Sequence, residues 1–235
     1  MLRNAFGIGV ATGTYGLSFG ALATAAGLTL GQTCALSLLM FTGASQFAFV
    51  GVVAAGGLPL AGAASAALLG TRNALYGLHL SSLLRLRGIK RVGCAQLVID
   101  ESAAMSLNTA SAPLARLGFW AAGLSVFACW NVATLIGALG AHLLSNPTSL
   151  GLDVVAPAAF VALMAPRLRS AETWRAAIVG ATVALVCVPF TPAGVPVLVA
   201  AITVVALALW TTRNAPPAAP EPAAGVAELV EQLEK

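Results

Sequence analysis

The sequence predicts an all-α fold: a polytopic transmembrane helix bundle of about seven spans with interrupted helices. One further polar helix is expected to be re-entrant or interfacial, and eight spans are the alternative. Three observations carry this. Of the 235 residues, 59% are hydrophobic and only 9% charged, 12 basic and 8 acidic, where a soluble domain of that length carries about 25% charged residues, roughly 59. Mean hydropathy is +0.91, which leaves too little polar sequence to wrap a core in water. Apolar stretches also recur at the length of about 20 residues that crosses roughly 30 Å of hydrocarbon. A soluble domain, a disordered chain and a nucleic-acid binder are excluded.

The spans fall at 6–26, 33–55, 60–84, 117–142, 150–166, 176–190 and 194–212. Their breaks are Gly27 to Gln32, Gly56 to Pro59, a basic run from Arg85 to Arg91, Ser145-Asn146-Pro147, a second basic run from Arg167 to Arg175, and Pro189 to Gly194. No stretch alternates as a barrel strand does, and a spanning segment must satisfy its own backbone groups, so the spans read as helices. Residues 93–112 are long enough to cross but hold Gln96, Asp100, Glu101 and Asn108. If they dip in and return, both basic runs and Arg116 face one side, which is the favoured reading; if they cross, the runs face opposite sides. Seven spans put the N-terminus outside and Arg213 inside.

Two units follow: a transport domain over 1–214 and a Pro/Ala-rich linker with a short acidic amphipathic tail over 215–235. In that tail Val226, Leu229, Val230 and Leu233 share one helical face. Positions 1–214 carry 11 basic and 4 acidic residues, and seven of the eleven sit in the two basic runs. Basic residues in short loops between apolar segments are the positive-inside signal, so both runs and the C-terminus are expected in the cytoplasm. Cys34, Cys94, Cys129 and Cys187 stand singly with no histidine at ligand spacing; they read as small packing residues, and no metal or cofactor is implied. The Gly- and Thr-rich N-terminus lacks the apolar core of a secretory signal and reads as part of the mature chain.

Polar groups at membrane depth are costly and therefore informative. Arg72 lies near the middle of 60–84, where an arginine costs about 2.5–3.5 kcal/mol to insert. Asn73 adjoins it, and Tyr76 and His79 share its helical face. Either a structural ion pair or a substrate site explains it. Asp100 and Glu101 are the acidic counterparts, able to pair with Arg72 or to carry a proton; Asp153 opens a span, either as an interfacial residue favoured by the helix dipole or as a functional group. Thr42, Ser45 and Gln46 form a polar cluster in an apolar span. The first span contains Gly9, Gly13, Gly16 and Gly20 in two G-x-x-x-G pairs, which fit close packing or a discontinuous helix whose free N–H groups meet an anion. Gly16-Leu17-Ser18-Phe19-Gly20 also matches the G-x-S-x-G nucleophile pattern. It lacks the strand–turn–helix context of a hydrolase, and an intramembrane protease would need His79 or His142 as base.

Assembled in order, Tyr15 to Ala23, Phe41 to Phe47, Thr71 to Tyr76, Asp100-Glu101-Ser102 and Gly151-Leu152-Asp153 followed by Phe160 resemble the AzlC-like branched-chain amino acid permease family. Tyr15 and the tail depart from its pattern. The resemblance implies the large subunit of a two-component exporter, not an enzyme, moving branched-chain amino acids such as valine across the bacterial inner membrane with a small hydrophobic AzlD-like subunit. On that footing the substrate-binding candidates are Arg72, Asn73, Tyr76, Gln46, Ser45, Gly16 and Gly20, with Phe41, Phe47 and Phe160 as apolar wall. The proton-coupling candidates are Asp100, Glu101 and Asp153. The rival readings are a passive channel, a non-transporting assembly subunit and a protease using Ser18.

Overall fold

A computed structural model of the chain describes residues 1–85, 87–107, 109, 111–143, 161, 164–165 and 168–213. Asp153, Phe160, Arg167, the tail and most of the span expected at 150–166 lie outside the described residues. Among those described, every regular element is helical: α1 Leu2–Ala25, α2 Leu30–Leu39, α3 Ala44–Ala54, α4 Pro59–Leu84, α5 Ile89–Gln96, α6 Asp100–Leu107, α7 Ala112–Leu143, α8 Ala171–Cys187, a short 3-10 turn Val188–Phe190, and α9 Val195–Arg213. By length and composition three stretches are apolar and long enough to cross a membrane: Leu2–Ala25, Ala112–Ala141 and Ala171–Phe190.

Helices α1 and α7 form the axis of the fold. Gly9 faces Ser125, Gly13 faces Cys129, Gly16 faces Trp130 and Ala133, and Gly20 faces Thr134 and Ala138. The two numberings rise together, so the helices run parallel. At Gly16 a Cβ would sit 2.7 Å from the Trp130 carbonyl, closer than any carbon tolerates. The glycines are the condition for this approach, as in other small-residue helix interfaces. Helix α1 is unbroken from Leu2 to Ala25, so of the two readings of its glycines, close packing and a discontinuous helix, the structure has the packing.

The interruption lies instead in the second span. Residues 33–55 are not one crossing but two short helices, α2 and α3, separated at Met40–Gly43. Thr29 and Gln32 start α2 with a reciprocal capping box. Gly43, at φ +66°, takes a conformation that a side chain disfavours and reverses the chain. Gln46 stabilises the reversal from the inside: fully buried, it accepts the Gly43 N–H (3.2 Å) and donates to the Leu36 carbonyl (3.0 Å). Ser37 bonds Thr134 near the end of α1 that Gly20 occupies, while Phe41 stacks edge-on with Phe127 further down α7. Phe47 then returns to Phe19, so α2 and α3 enter and leave at the same end.

A second hairpin enters from the other end. Helix α4 antiparallels α3, with Gly62 beside Phe49 and Gly70 beside Ser45. Its last turn meets the start of α7, where Arg116 Nε donates to the Leu83 carbonyl at 2.9 Å. From there α5 runs inward to Gln96, which donates to the carbonyls of Leu38 (2.7 Å) and Leu39 (3.2 Å) at the tip of the first hairpin. The chain turns at Leu97–Ile99, where buried Ser102 accepts the Ile99 N–H (3.1 Å) and donates to the Leu97 carbonyl (2.6 Å). Helix α6 returns to place Met105 against Gly118. The described residues of this stretch therefore run inward and turn back at Leu97–Ile99.

The first hairpin, by not crossing, removes one reversal of direction. Met1 accordingly reaches Gly118 and shares an end of the molecule with Arg85, Arg91 and Arg116. The expectation that the N-terminus opposes the first basic run is thereby corrected. Helices α8 and α9 pack on each other, Gly180 beside Val204, and join at the far end, where Gly194 packs on Val52 and Ala61.

Candidate substrate site

The two hairpin tips meet at Arg72. Its Nη1 pairs with Asp100 Oδ2 at 2.8 Å, at the start of α6, and its Nη2 donates to the Thr42 carbonyl at 3.3 Å, in the break before α3. One guanidinium thus holds the turn of each hairpin. Both charged side chains keep about a quarter of their surface open, 24% and 22%, because they line a cavity of about 800 Å³. Thr12, Tyr15, Phe41, Phe47, Ile99, Glu101, Val126 and Trp130 line it on one side, and Val188, Thr191, Pro196 and Val197 on the other. Its wall is mostly apolar, and its polar groups converge on one patch.

That patch has unused hydrogen-bonding capacity. Arg72 Nε, Thr42 Oγ1 and Trp130 Nε1 are buried and have no hydrogen-bond partner among the described residues. Polar atoms in this condition are uncommon in folded proteins and point to something that satisfies them. Gly43 and Ala44 bring the N-terminal turn of α3 to the cavity, and Ile99 to Glu101 bring that of α6. The positive ends of two half-helix dipoles thus converge on the same place.

The other sequence candidates lie elsewhere. Gly16 and Gly20 face α7 and touch no cavity wall. Gln46 is committed to the backbone of the first hairpin. Ser45 is buried beside Gly70, with its Oγ unpartnered. Asn73 and Tyr76 follow Arg72 along α4 but do not line the cavity, and Tyr76 packs on the core. Ser18 lies inside unbroken α1 on no cavity wall, whereas His79 lies near the C-terminus of α4, at the other end of the molecule; the two do not form a nucleophile–base pair. Sequence reasoning passed over Trp130 and Thr191. The signal available for Trp130 was an indole N–H deep in an apolar span, a donor that needs a partner.

A family model described as AzlC protein matches residues 7–144, the stretch that contains both hairpins, Arg72, Asp100 and the α1–α7 axis. No curated protein and no solved structure matches the chain.

Proposed function

The chain belongs to the AzlC family, a family of membrane transport proteins, and from that premise we propose that it is the large subunit of an exporter of branched-chain amino acids. The carrying observation is the Arg72–Asp100 pair, set between two hairpin tips in a largely apolar cavity. A zwitterionic amino acid brings one carboxylate and one ammonium. Bound between Arg72 and Asp100 it replaces the internal pair with two external ones, so neither part-buried charge is left uncompensated, the condition that makes breaking such a pair costly. The orphan donors at Arg72 Nε and Trp130 Nε1 suit the carboxylate, and Phe41, Phe47 and Val188 suit a branched aliphatic side chain.

The topology supports a transport mechanism. The hairpins enter from opposite ends and meet at their tips, so separating either tip from Arg72 would open the cavity to one end. Protonation of Asp100 or Glu101 weakens the hold on Arg72 and couples opening to the proton gradient. The end carrying Arg85, Arg91 and Arg116 is the cytoplasmic face of the bacterial inner membrane by the positive-inside rule, and the C-terminus is assigned to the same side on the basic residue Arg213 in the last turn of α9. An AzlD-like small hydrophobic subunit completes the exporter; the broad apolar surface of α8 and α9, which includes Ile178, Leu185, Ile202 and Leu209, gives such a partner a face to cover.

The test is efflux of a labelled amino-acid panel from cells or vesicles, with and without the small subunit. Valine, leucine and isoleucine should leave faster than the background, and Arg72→Ala, shown to be inserted and folded, should abolish the difference. Valine efflux that survives Arg72→Ala would overturn the assignment.

A further inference from the structure

A second cavity, of about 690 Å³, lies at the basic end between the last turns of α4 and the junction of α6 with α7. It takes no part in the site at Arg72. Its walls include His79 and Ser82 from α4, Arg85 just past it, Ser106 and Thr109 from the α6 end, and Arg116 from α7. No acidic side chain lines it among the described residues.

The two arginines are held by one nitrogen each. Arg85 Nε donates to the Ser82 carbonyl at 3.3 Å, and Arg116 Nε to the Leu83 carbonyl at 2.9 Å. These bonds occupy the final carbonyls of α4 and leave both Nη pairs without a protein partner among the described residues. Guanidinium forks anchored through Nε in this way suit phosphate oxygens, which they bind bidentately. The first turn of α7 borders the cavity at Ala112 and adds the positive end of a 32-residue helix. Independently, Ser106 is buried to 1% exposure, lines the cavity, and has an Oγ with no partner. A buried hydroxyl in that state awaits an acceptor or donor from outside the chain.

We infer that this cavity binds a phosphate group, held by Arg85 and Arg116 with Ser106 at its base. Both an anionic phospholipid headgroup and free phosphate offer that chemistry. Leu107, on the cavity wall, is 44% exposed, and Leu78 and Leu114, next in sequence to the lining residues His79 and Ala115, are 69% and 49% exposed; acyl chains have apolar surface to lie on close by, and this favours the lipid.

The experiment is native mass spectrometry on the full chain in detergent, titrated separately with phosphatidylglycerol and with inorganic phosphate. Wild type should retain phosphatidylglycerol, and Arg85→Gln/Arg116→Gln should weaken retention at least tenfold, with Arg116→Lys restoring most of it. A tenfold loss confined to inorganic phosphate would support the site with free phosphate as its ligand. Ser106→Ala removes an unpartnered hydroxyl without disturbing packing and should weaken binding severalfold while the melting temperature holds. Should the double variant fail to fold, Ser106→Ala decides the matter. Affinity for both ligands unchanged in these variants would overturn the inference.

Discussion

If the α1 glycines are packing residues, adding one methyl group at two of them should have opposite effects. At Gly20 a Cβ would collide with the Thr134 carbonyl and lie 2.8 Å from the Ala138 nitrogen. Both are backbone atoms of α7, which cannot rotate away as a side chain can. The helices must part by about half an ångström or more, and a gap of that size already forfeits roughly a quarter of the dispersion energy of each affected contact. Phe19, Phe47 and Trp130, all buried, stack across this level and would share the loss. Overpacking of this kind costs about 1–3 kcal/mol. At about 2–4 °C per kcal/mol for a chain of this size, Gly20→Ala should lower the melting temperature by roughly 2–12 °C. Gly7 lies on the same helix with nothing within 4 Å of its would-be Cβ. There Gly→Ala removes only the flexibility of glycine and should stabilise by about 0.5–1 kcal/mol. Thermal unfolding of the two variants in the same detergent is the assay. Equal melting temperatures, or a more stable Gly20→Ala, would refute the packing account and return Gly20 to the list of binding candidates.

Two further substitutions test the hairpins. Gln46→Leu leaves the Gly43 N–H unpaired, while the Leu36 carbonyl keeps the Met40 N–H; one part-buried donor without a partner should cost about 1–3 kcal/mol, seen as a smaller folded peak in size-exclusion chromatography, whereas Gln46→Glu, which keeps the acceptor, should retain more of it. Ser102→Ala unties the turn of the second hairpin and should cost about 0.5–2 kcal/mol, as loss of a cap does; amide hydrogen exchange in α6 should rise, and unchanged protection would contradict the role given to Ser102.

How much of this was legible beforehand depends on which property is asked for. The break before α3 had a visible cause, Thr42-Gly43 followed by Gln46, yet the cluster read only as a polar stripe. Hydropathy reports the contact of a side chain with apolar surroundings, and lipid and protein interior are equally apolar. A 23-residue apolar stretch over 33–55 therefore looks the same whether it crosses once or turns back halfway. The second hairpin was more legible, because Gln96, Asp100 and Glu101 are polar enough to argue against a simple crossing.

By itself the sequence determined the helical class, the membrane setting and the short roll of polar residues that need an explanation at depth, since each follows from composition and the cost of burying polar groups. Tertiary structure decided what those residues do. Arg72 could have met any acid in the chain, and the close approach of two hairpin tips chose Asp100. The glycines of α1 suited both packing and binding, and only the position of α7 against them settled on packing. Pairings between residues 28 or 116 positions apart depend on how helices cross and turn, and no local pattern in the chain encodes that directly.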